Sequence, residues 1–434
     1  MLDIRYIKEN PQEVIARLAA KGKDANFEIN EILRLDGERR ALILETDNNK
    51  AEQNKVSKQI PMLKKQGEDV APIMARMKEL AESIKENDNK IRQVEADLRE
   101  VMLSLPNLPD PDLKPGGKEN NEELRQHGTP HVFDFEPKNH VDLCTNLGLI
   151  DYERGTKLSG SGFWVYRAMG ARLEWALLNY FIDTHLADGY EMVMVPHMLG
   201  MDAGYASGQF PKFKEDVYWM ERDEDERPLF MLPTAETALV GLHMNEILTE
   251  KELPRKYFAY TPCFRKEAGS HRADERGMVR GHQFNKVEMF QYTLPEKSDE
   301  AFEELVGKAE ALVKGLGFHF RTVKLAAEDC SASMARTYDI EIHIPSMNGY
   351  KEVSSVSNAR DYQARRSAIR FKREATGKTE FVHTLNGSGL ATSRILPAIV
   401  EQNQLKDGSV VVPEVLRKYL GGIEVLTKDM KNWK

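Results

Sequence analysis

Between Ile32 and Leu105 the apolar positions recur in steps of three and four. Leu80, Ile84, Asn87, Ile91, Val94, Leu98, Val101 and Leu105 form one series with a single polar member. Ile32, Leu35, Arg39, Leu42, then Val56, Ile60 and Leu63 form another with a polar middle. This spacing sets one stripe of side chains along a helix, as in a coiled-coil seam. Gln66 to Pro72 separates the two series with turn and cap chemistry. The pattern predicts two helices folded back as an antiparallel coiled coil, each about 30–35 residues or ~50 Å long. Pro61 falls inside the first and is expected to kink or end it near its tip.

Further along, the period changes. Leu173, Ala176, Leu177, Tyr180 and Phe181 share one face of a helix expected from about Ala168 to Asp188. Glu191–Pro196 reads as a short buried strand closed by proline. Tyr257–Glu267 and His282–Tyr292 read as two strands joined by a basic loop, Ala268–Arg280, with Arg272, Arg276 and Arg280. Lys351–Asn358 alternates as another strand. Thr384–Arg394 reads as a glycine-bearing turn running into a helix.

Composition sharpens the boundaries. No Phe, Tyr or Trp occurs from Glu28 to Val132, so all 35 aromatic residues lie elsewhere. The chain therefore splits into a helical arm domain over 1–105 and an aromatic-bearing domain over 133–434. Five prolines within 106–130 mark 106–132 as a linker. The class is α+β: a long antiparallel helical arm, then a domain of mixed strands and helices. Residues 28–104 hold 14 Lys or Arg against 16 Asp or Glu, and the whole chain carries −8. This balance argues against a protein that coats nucleic acid by bulk charge, although it leaves room for a local basic face. Three widely separated cysteines give no CxxC pair, so neither a thiolate zinc site nor a disulfide framework is expected. No apolar run reaches membrane-spanning length. The expected setting is the cytoplasm.

Four stretches can carry chemistry. In strands, residues two apart share a face, so Arg265 pairs with Glu267 and, without a bulge, Phe284 with Glu288. An arginine, two carboxylates and a phenylalanine on one surface suit phosphate, carboxylate and base stacking. A solvated hairpin with cross-strand ion pairs fits the same residues equally well. Glu352 and Ser354 share a face and suit magnesium with a nucleotide, or a plain edge strand. Gly387 and Gly389 permit close backbone approach to a ligand, with Arg394 in the first turns of the next helix. That Gly-x-Gly is neither a Rossmann fingerprint nor a Walker loop.

Taken in order, these stretches resemble class II aminoacyl-tRNA synthetases. The strand ending at Pro196 resembles motif 1, Phe264-Arg-Lys-Glu267 with its return strand motif 2, and Gly387–Arg394 motif 3. Pro233-Thr-Ala-Glu236, His282-Gln-Phe-x-Lys-Val-Glu288, Glu352-Val-Ser-Ser355 and Leu385-Asn-Gly-Ser-Gly389 resemble the seryl branch specifically, as does the helical hairpin. The resemblance implies an antiparallel sheet flanked by helices, a homodimer, and a ligase using ATP, L-serine and tRNA(Ser), with selenocysteine tRNA left open. It implies Thr234, Ala235 and Glu236 at the serine pocket, Glu288 on the ammonium, and Asn386 and Ser388 near the hydroxyl. It implies Arg265, Lys266, Glu267, Phe284 and Arg394 around ATP, with Arg265 also reaching the serine carboxylate and Phe284 stacking on adenine opposite Arg394. Glu352, Val353, Ser354 and Ser355 would meet the phosphates, Glu352 and Ser355 holding Mg2+. Arg265, Glu352 and Arg394 carry the catalytic roles. A zinc-bound branch of the family has a cysteine ligand signature that this chain lacks, so no zinc is expected.

Some positions depart from the family pattern: Lys266, the run 271–276, Val356, Thr392-Ser393 and Pro61. The alternative is a catalytically silent paralogue acting as an RNA- or protein-binding module. Its expected signature is loss of Arg265, Glu267, Glu352 or Arg394, and all four are present.

Overall fold

The computed structural model describes residues 1–221, 227–267 and 277–432. It divides into two compact units. One comprises residues 2–19 and 23–106, the other 107–434 with Met1 and residues 20–22.

The first unit is helical: α1 (Ile4–Glu9), α2 (Pro11–Ala20), α3 (Asn26–Lys65) and α4 (Ala71–Ser104). With 40 and 34 residues, α3 and α4 extend about 60 and 50 Å. Their antiparallel register is set by Asn49 Nδ2 donating to Ser83 Oγ at 3.1 Å and by Arg76 gripping Glu52 at 2.9 and 3.1 Å. Ile29, Ile32 and Leu35 are buried on α3, and Leu80, Asn87, Val94, Leu98 and Met102 on α4. At the end of α4 the seam moves from Val101 to Met102, because a helix of 3.6 residues per turn drifts off a 3.5 repeat. Pro61 does not end α3, which runs on to Lys65. The lost N–H bond falls in the last turn, where the helix is about to stop anyway.

The second unit is built on an eight-stranded sheet. Its strands are β1 (Glu122–His127), β2 (Glu191–Met192), β3 (Arg255–Phe264), β4 (Gln283–Thr293), β5 (Phe320–Lys324), β6 (Arg336–Ile344), β7 (Gly349–Arg360) and β8 (His383–Ala391). Their order is β1-β5-β6-β7-β8-β4-β3-β2. Neighbours run antiparallel except β2, which is parallel to β3. Helices α5 (Ala168–Ala187), α6 (Ala235–Leu239), α7 (Ser298–Gly315), α8 (Tyr362–Ser367) and α9 (Thr392–Gln402) flank it. Leu173, Leu177 and Phe181 on α5 are fully buried, as the periodicity requires. Each contributes roughly 1.5–3 kcal/mol of burial.

Three sequence expectations change. Residues 106–132 are not a free linker: they supply β1, and Asn107 and Asp110 donate backbone N–H groups to Ala332 and Ala335. Their prolines fit because all five lie outside β1, where no ladder hydrogen bond is asked of them. Glu191–Pro196 is mostly exposed: Glu191 and Met192 pair with β3, Val193 N donates to Phe258 O at 2.9 Å, Val195 is buried and Met194 is 89% exposed. Thr384–Arg394 is no turn, since its first part is the interior strand β8. There the glycines serve packing rather than a ligand. A Cβ on Gly389 would stand 2.3 Å from His185 Nε2 of α5, and one on Gly387 would stand 3.3 Å from Val356 Cγ2.

Candidate active site

Strand pleat decides which side chains of β4 meet. Val287 and Met289 join the apolar cluster of α5, α7 and α9. The opposite face carries Phe284, Lys286 and Glu288, and all three line a cavity of about 310 Å³. On β8, Ser388 stands opposite Glu288 and Asn386 opposite Phe290, so both open into the same space.

Strand β7 enters through a bulge. Ile340 faces Ser354 but the next residue, Glu341, faces Glu352, leaving Val353 as the extra residue. A bulge reverses the alternation. Glu352 therefore shares the cavity with Ser355 and Ser357, not with Ser354. Ser354 is buried on the other side, donating its hydroxyl to Ser388 O at 2.6 Å. The expected pairing of Glu352 with Ser354 is corrected accordingly.

The inner end of the cavity is a compact polar cluster. Thr234 caps α6, and its Oγ1 accepts from Glu236 N at 3.3 Å and from Lys286 Nζ at 2.7 Å. Lys286 Nζ lies 2.5 Å from Glu288 Oε2. Asn386 Nδ2 donates to Glu288 Oε1 at 3.0 Å, and Gln363 Nε2 of α8 donates to Glu236 Oε1 at 2.8 Å. Asn386 Oδ1 and Ser388 Oγ are buried with no hydrogen-bond partner among the described residues. Burial, then the charge of Glu288, pushes the Glu236 carboxyl up to about 7, against the pull of Gln363, Lys286 and Arg265. Such an end favours a cation with hydrogen-bonding capacity beside it.

The outer end is rich in arginine. Arg265 Nε donates to Pro233 O at 3.2 Å, and its guanidinium sits 5.2 Å from the Phe284 ring centroid. Arg394, on the first turn of α9, donates to Glu352 O at 2.7 Å and Val279 O at 3.3 Å, and pairs with Glu352 Oε2 at 3.4 Å. Arg280 Nε pairs with Glu267 Oε2 at 2.8 Å. Glu267 has φ of 52°, so the chain leaves β3 before it and the simple strand alternation does not extend that far. Arg265 and Glu267 line the cavity all the same, and also a second cavity of about 350 Å³ that shares this wall.

Thus Thr234, Glu236, Arg265, Glu267, Phe284, Glu288, Glu352, Val353, Ser355, Asn386, Ser388 and Arg394 come together. Ala235, Lys266 and Ser354 do not line the cavity. Ala235 is buried at the start of α6, and Lys266 turns its ammonium over the Tyr218 ring. The loop arginines Arg272 and Arg276, with the departures at 271–276, lie outside the described residues. Residues missed in sequence include Lys286, which period two from Phe284 to Glu288 implied, and Gln363, which no strand pattern could reach.

A magnesium ion needs one or two protein oxygens and completes its shell with phosphate and water. Glu352 and Ser355 fit that need. Ser355 gives its proton to Asp339 Oδ1 at 2.7 Å, which leaves its oxygen lone pairs for the cavity.

Known proteins share both units. Residues 1–109 match the seryl-tRNA synthetase N-terminal domain, and residues 218–403 match the tRNA synthetase class II core domain (G, H, P, S and T). Serine–tRNA ligase 2 of Clostridium acetobutylicum is 58% identical over 97% of this chain and 99% of its own. Seryl-tRNA synthetase from Pyrococcus horikoshii, solved with ATP, superposes with a TM-score of 0.93 at 36% identity, covering 98% of this chain and 99% of that one. The cytoplasmic serine–tRNA ligase from Naegleria fowleri, solved with AMP, gives 0.87 at 29% identity, over 98% of this chain and 99% of that one.

Proposed function

The chain belongs to the seryl-tRNA synthetase family, and from that premise we propose that it activates L-serine with ATP and transfers the seryl group to the 3′-terminal adenosine of tRNA(Ser). One observation carries this reading. Side chains from β4, β7, β8, α6 and α9, with Arg265 beyond β3, converge on one cavity with an anionic inner end and an arginine-rich outer end.

The chemistry follows from that polarity. The serine ammonium goes to Glu288 and Glu236, and its hydroxyl to the oxygens of Thr234, Asn386 and Ser388. Its carboxylate then points outward to Arg265. ATP lies along the arginines, with the adenine between Phe284 and Arg394 and the phosphates near Glu352 and Ser355. A carboxylate is already anionic, so attack on the α-phosphate needs no general base. Alignment and neutralisation of charge moving to pyrophosphate supply the rate. Glu352 and Ser355 would hold a magnesium ion, which would polarise the phosphates when bound. In the second step the ribose hydroxyl of the tRNA attacks the adenylate. Alanine leaves the pocket's buried oxygens unpaired, which is worth on the order of 10⁴-fold in rate. Exchange of pyrophosphate into ATP should therefore respond to serine alone among the twenty amino acids. A response led by another amino acid rejects the assignment.

Two further points belong to the same proposal. No described helix is long and apolar enough to cross a membrane, and the proposed work on tRNA would be done in the cytoplasm. Trp175, Met192, Met194 and Met198 are 54, 37, 89 and 50% exposed along α5 and the segment after it. Large apolar groups left exposed in this way suit a second copy of the chain. Sedimentation should give twice the chain mass, and Met194→Asp should shift it toward the monomer.

A further inference from the structure

Lys286 has no task in the reaction as written. It is neither beside the phosphates nor needed as a base, yet its ammonium is buried at the inner end of the cavity with its side chain 10% exposed. Burying a lysine is costly unless its contacts do something specific.

Its contacts fix the hydrogen-bonding sense of two neighbours. A threonine hydroxyl has two lone pairs and one proton. At Thr234 one lone pair takes Glu236 N and the other takes Lys286 Nζ. The hydroxyl can then only donate to a ligand. Lys286 Nζ also lies 2.5 Å from Glu288 Oε2. A carboxylate paired with an ammonium accepts, and the Asn386 amide turns its NH₂ to Glu288 Oε1 at 3.0 Å. That leaves Asn386 Oδ1, buried and without a partner among the described residues, as an acceptor facing the ligand.

We propose that Lys286 is a specificity-determining positioning residue: it makes Thr234 a donor and Asn386 an acceptor, the pattern that distinguishes a hydroxylated amino acid from alanine. The inference rests on the reading of this cavity as the serine pocket. It also accounts for the local charge. Glu236, Glu288 and Lys286 sum to −1, which one ligand ammonium neutralises. Without Lys286 the pull on Glu236 is left to Arg265 and the neutral Gln363 among the described residues, and Glu236, already near 7, moves higher still. Below its pKa Glu236 is neutral and holds an ammonium less well, so KM for serine rises as pH falls.

The test compares wild type, Lys286→Met and Lys286→Arg by ATP–pyrophosphate exchange with serine and with alanine from pH 6 to 8.5. Wild-type preference for serine establishes the pocket reading independently. Lys286→Met should then lower the serine-to-alanine ratio of kcat/KM at least tenfold. It should also move the rise of the serine KM to higher pH, with Lys286→Arg recovering part of both. Equal loss for serine and alanine, with an unchanged pH profile, overturns the proposal. Should Lys286→Met not fold, Thr234→Val serves. It removes the hydroxyl donor, together with the acceptor for Lys286 Nζ and Glu236 N, and leaves Lys286 in place; it should lower the same ratio, and an unchanged ratio rejects the donor role.

Discussion

Arg265→Ala should abolish serine-dependent ATP–pyrophosphate exchange, with a loss of about 10³-fold or more, the scale for removing a charged group that stabilises a transition state. The residue stands where the two cavities meet, between the polar inner end and the phosphate end. Its orientation is set before any ligand arrives: Nε is tied to Pro233 O, and the guanidinium carbon lies over the Phe284 ring. Those restraints leave the Nη groups to the ligands. In the proposed reaction one guanidinium meets both the attacking carboxylate and the α-phosphate, so its loss affects alignment and charge together. Arg265→Lys should recover little, because an ammonium cannot offer the planar fork. The measurement is exchange at saturating serine and ATP, with folding checked by thermal melting. Near-normal exchange from a folded Arg265→Ala protein would refute the assigned role.

How much of this site could be read from the chain depended on where each contact originates. Strand alternation is local, so Phe284, Lys286 and Glu288 were legible as one face of β4. The coiled-coil seam was legible for the same reason, from Leu80 to Leu98. The bulge at Val353 was not, because it is decided by how β7 pairs with β6. Reading Glu352 with Ser354 was the consequence. Gly389 was misread because the atom that demands a glycine, His185 Nε2, lies 204 residues away on α5. Gln363 and Asp339 were invisible for the same reason. Each acts through a side chain, Glu236 or Ser355, that another element presents. The prolines of 106–132 suggested a linker, since local composition does not reveal a strand pairing nearly 200 residues ahead.

Excising residues 50–82 and joining Asn49 to Ser83 through a short glycine turn should separate the two half-reactions. The two side chains already touch at 3.1 Å, so the cut closes without disturbing the better-buried half of the seam, from Ile29 to Thr46 and from Asn87 to Met102. The excised segment contains Lys55, Lys58, Lys64 and Lys65, all exposed in the outer part of α3. The arm as a whole is nearly balanced in charge, so a nucleic-acid contact must come from such a local group rather than from bulk attraction. Neutralising four phosphates gives a salt dependence with a slope of roughly −3 to −4 in log–log form. Adenylate formation uses only the cavity of the second unit, so exchange should stay within about twofold of wild type. Charging of tRNA(Ser) at physiological salt should fall by about 10²-fold or more, the scale set by losing several phosphate contacts, and should lose most of its salt dependence. If charging persists with its salt slope intact, the arm is a spacer and the tRNA is gripped elsewhere.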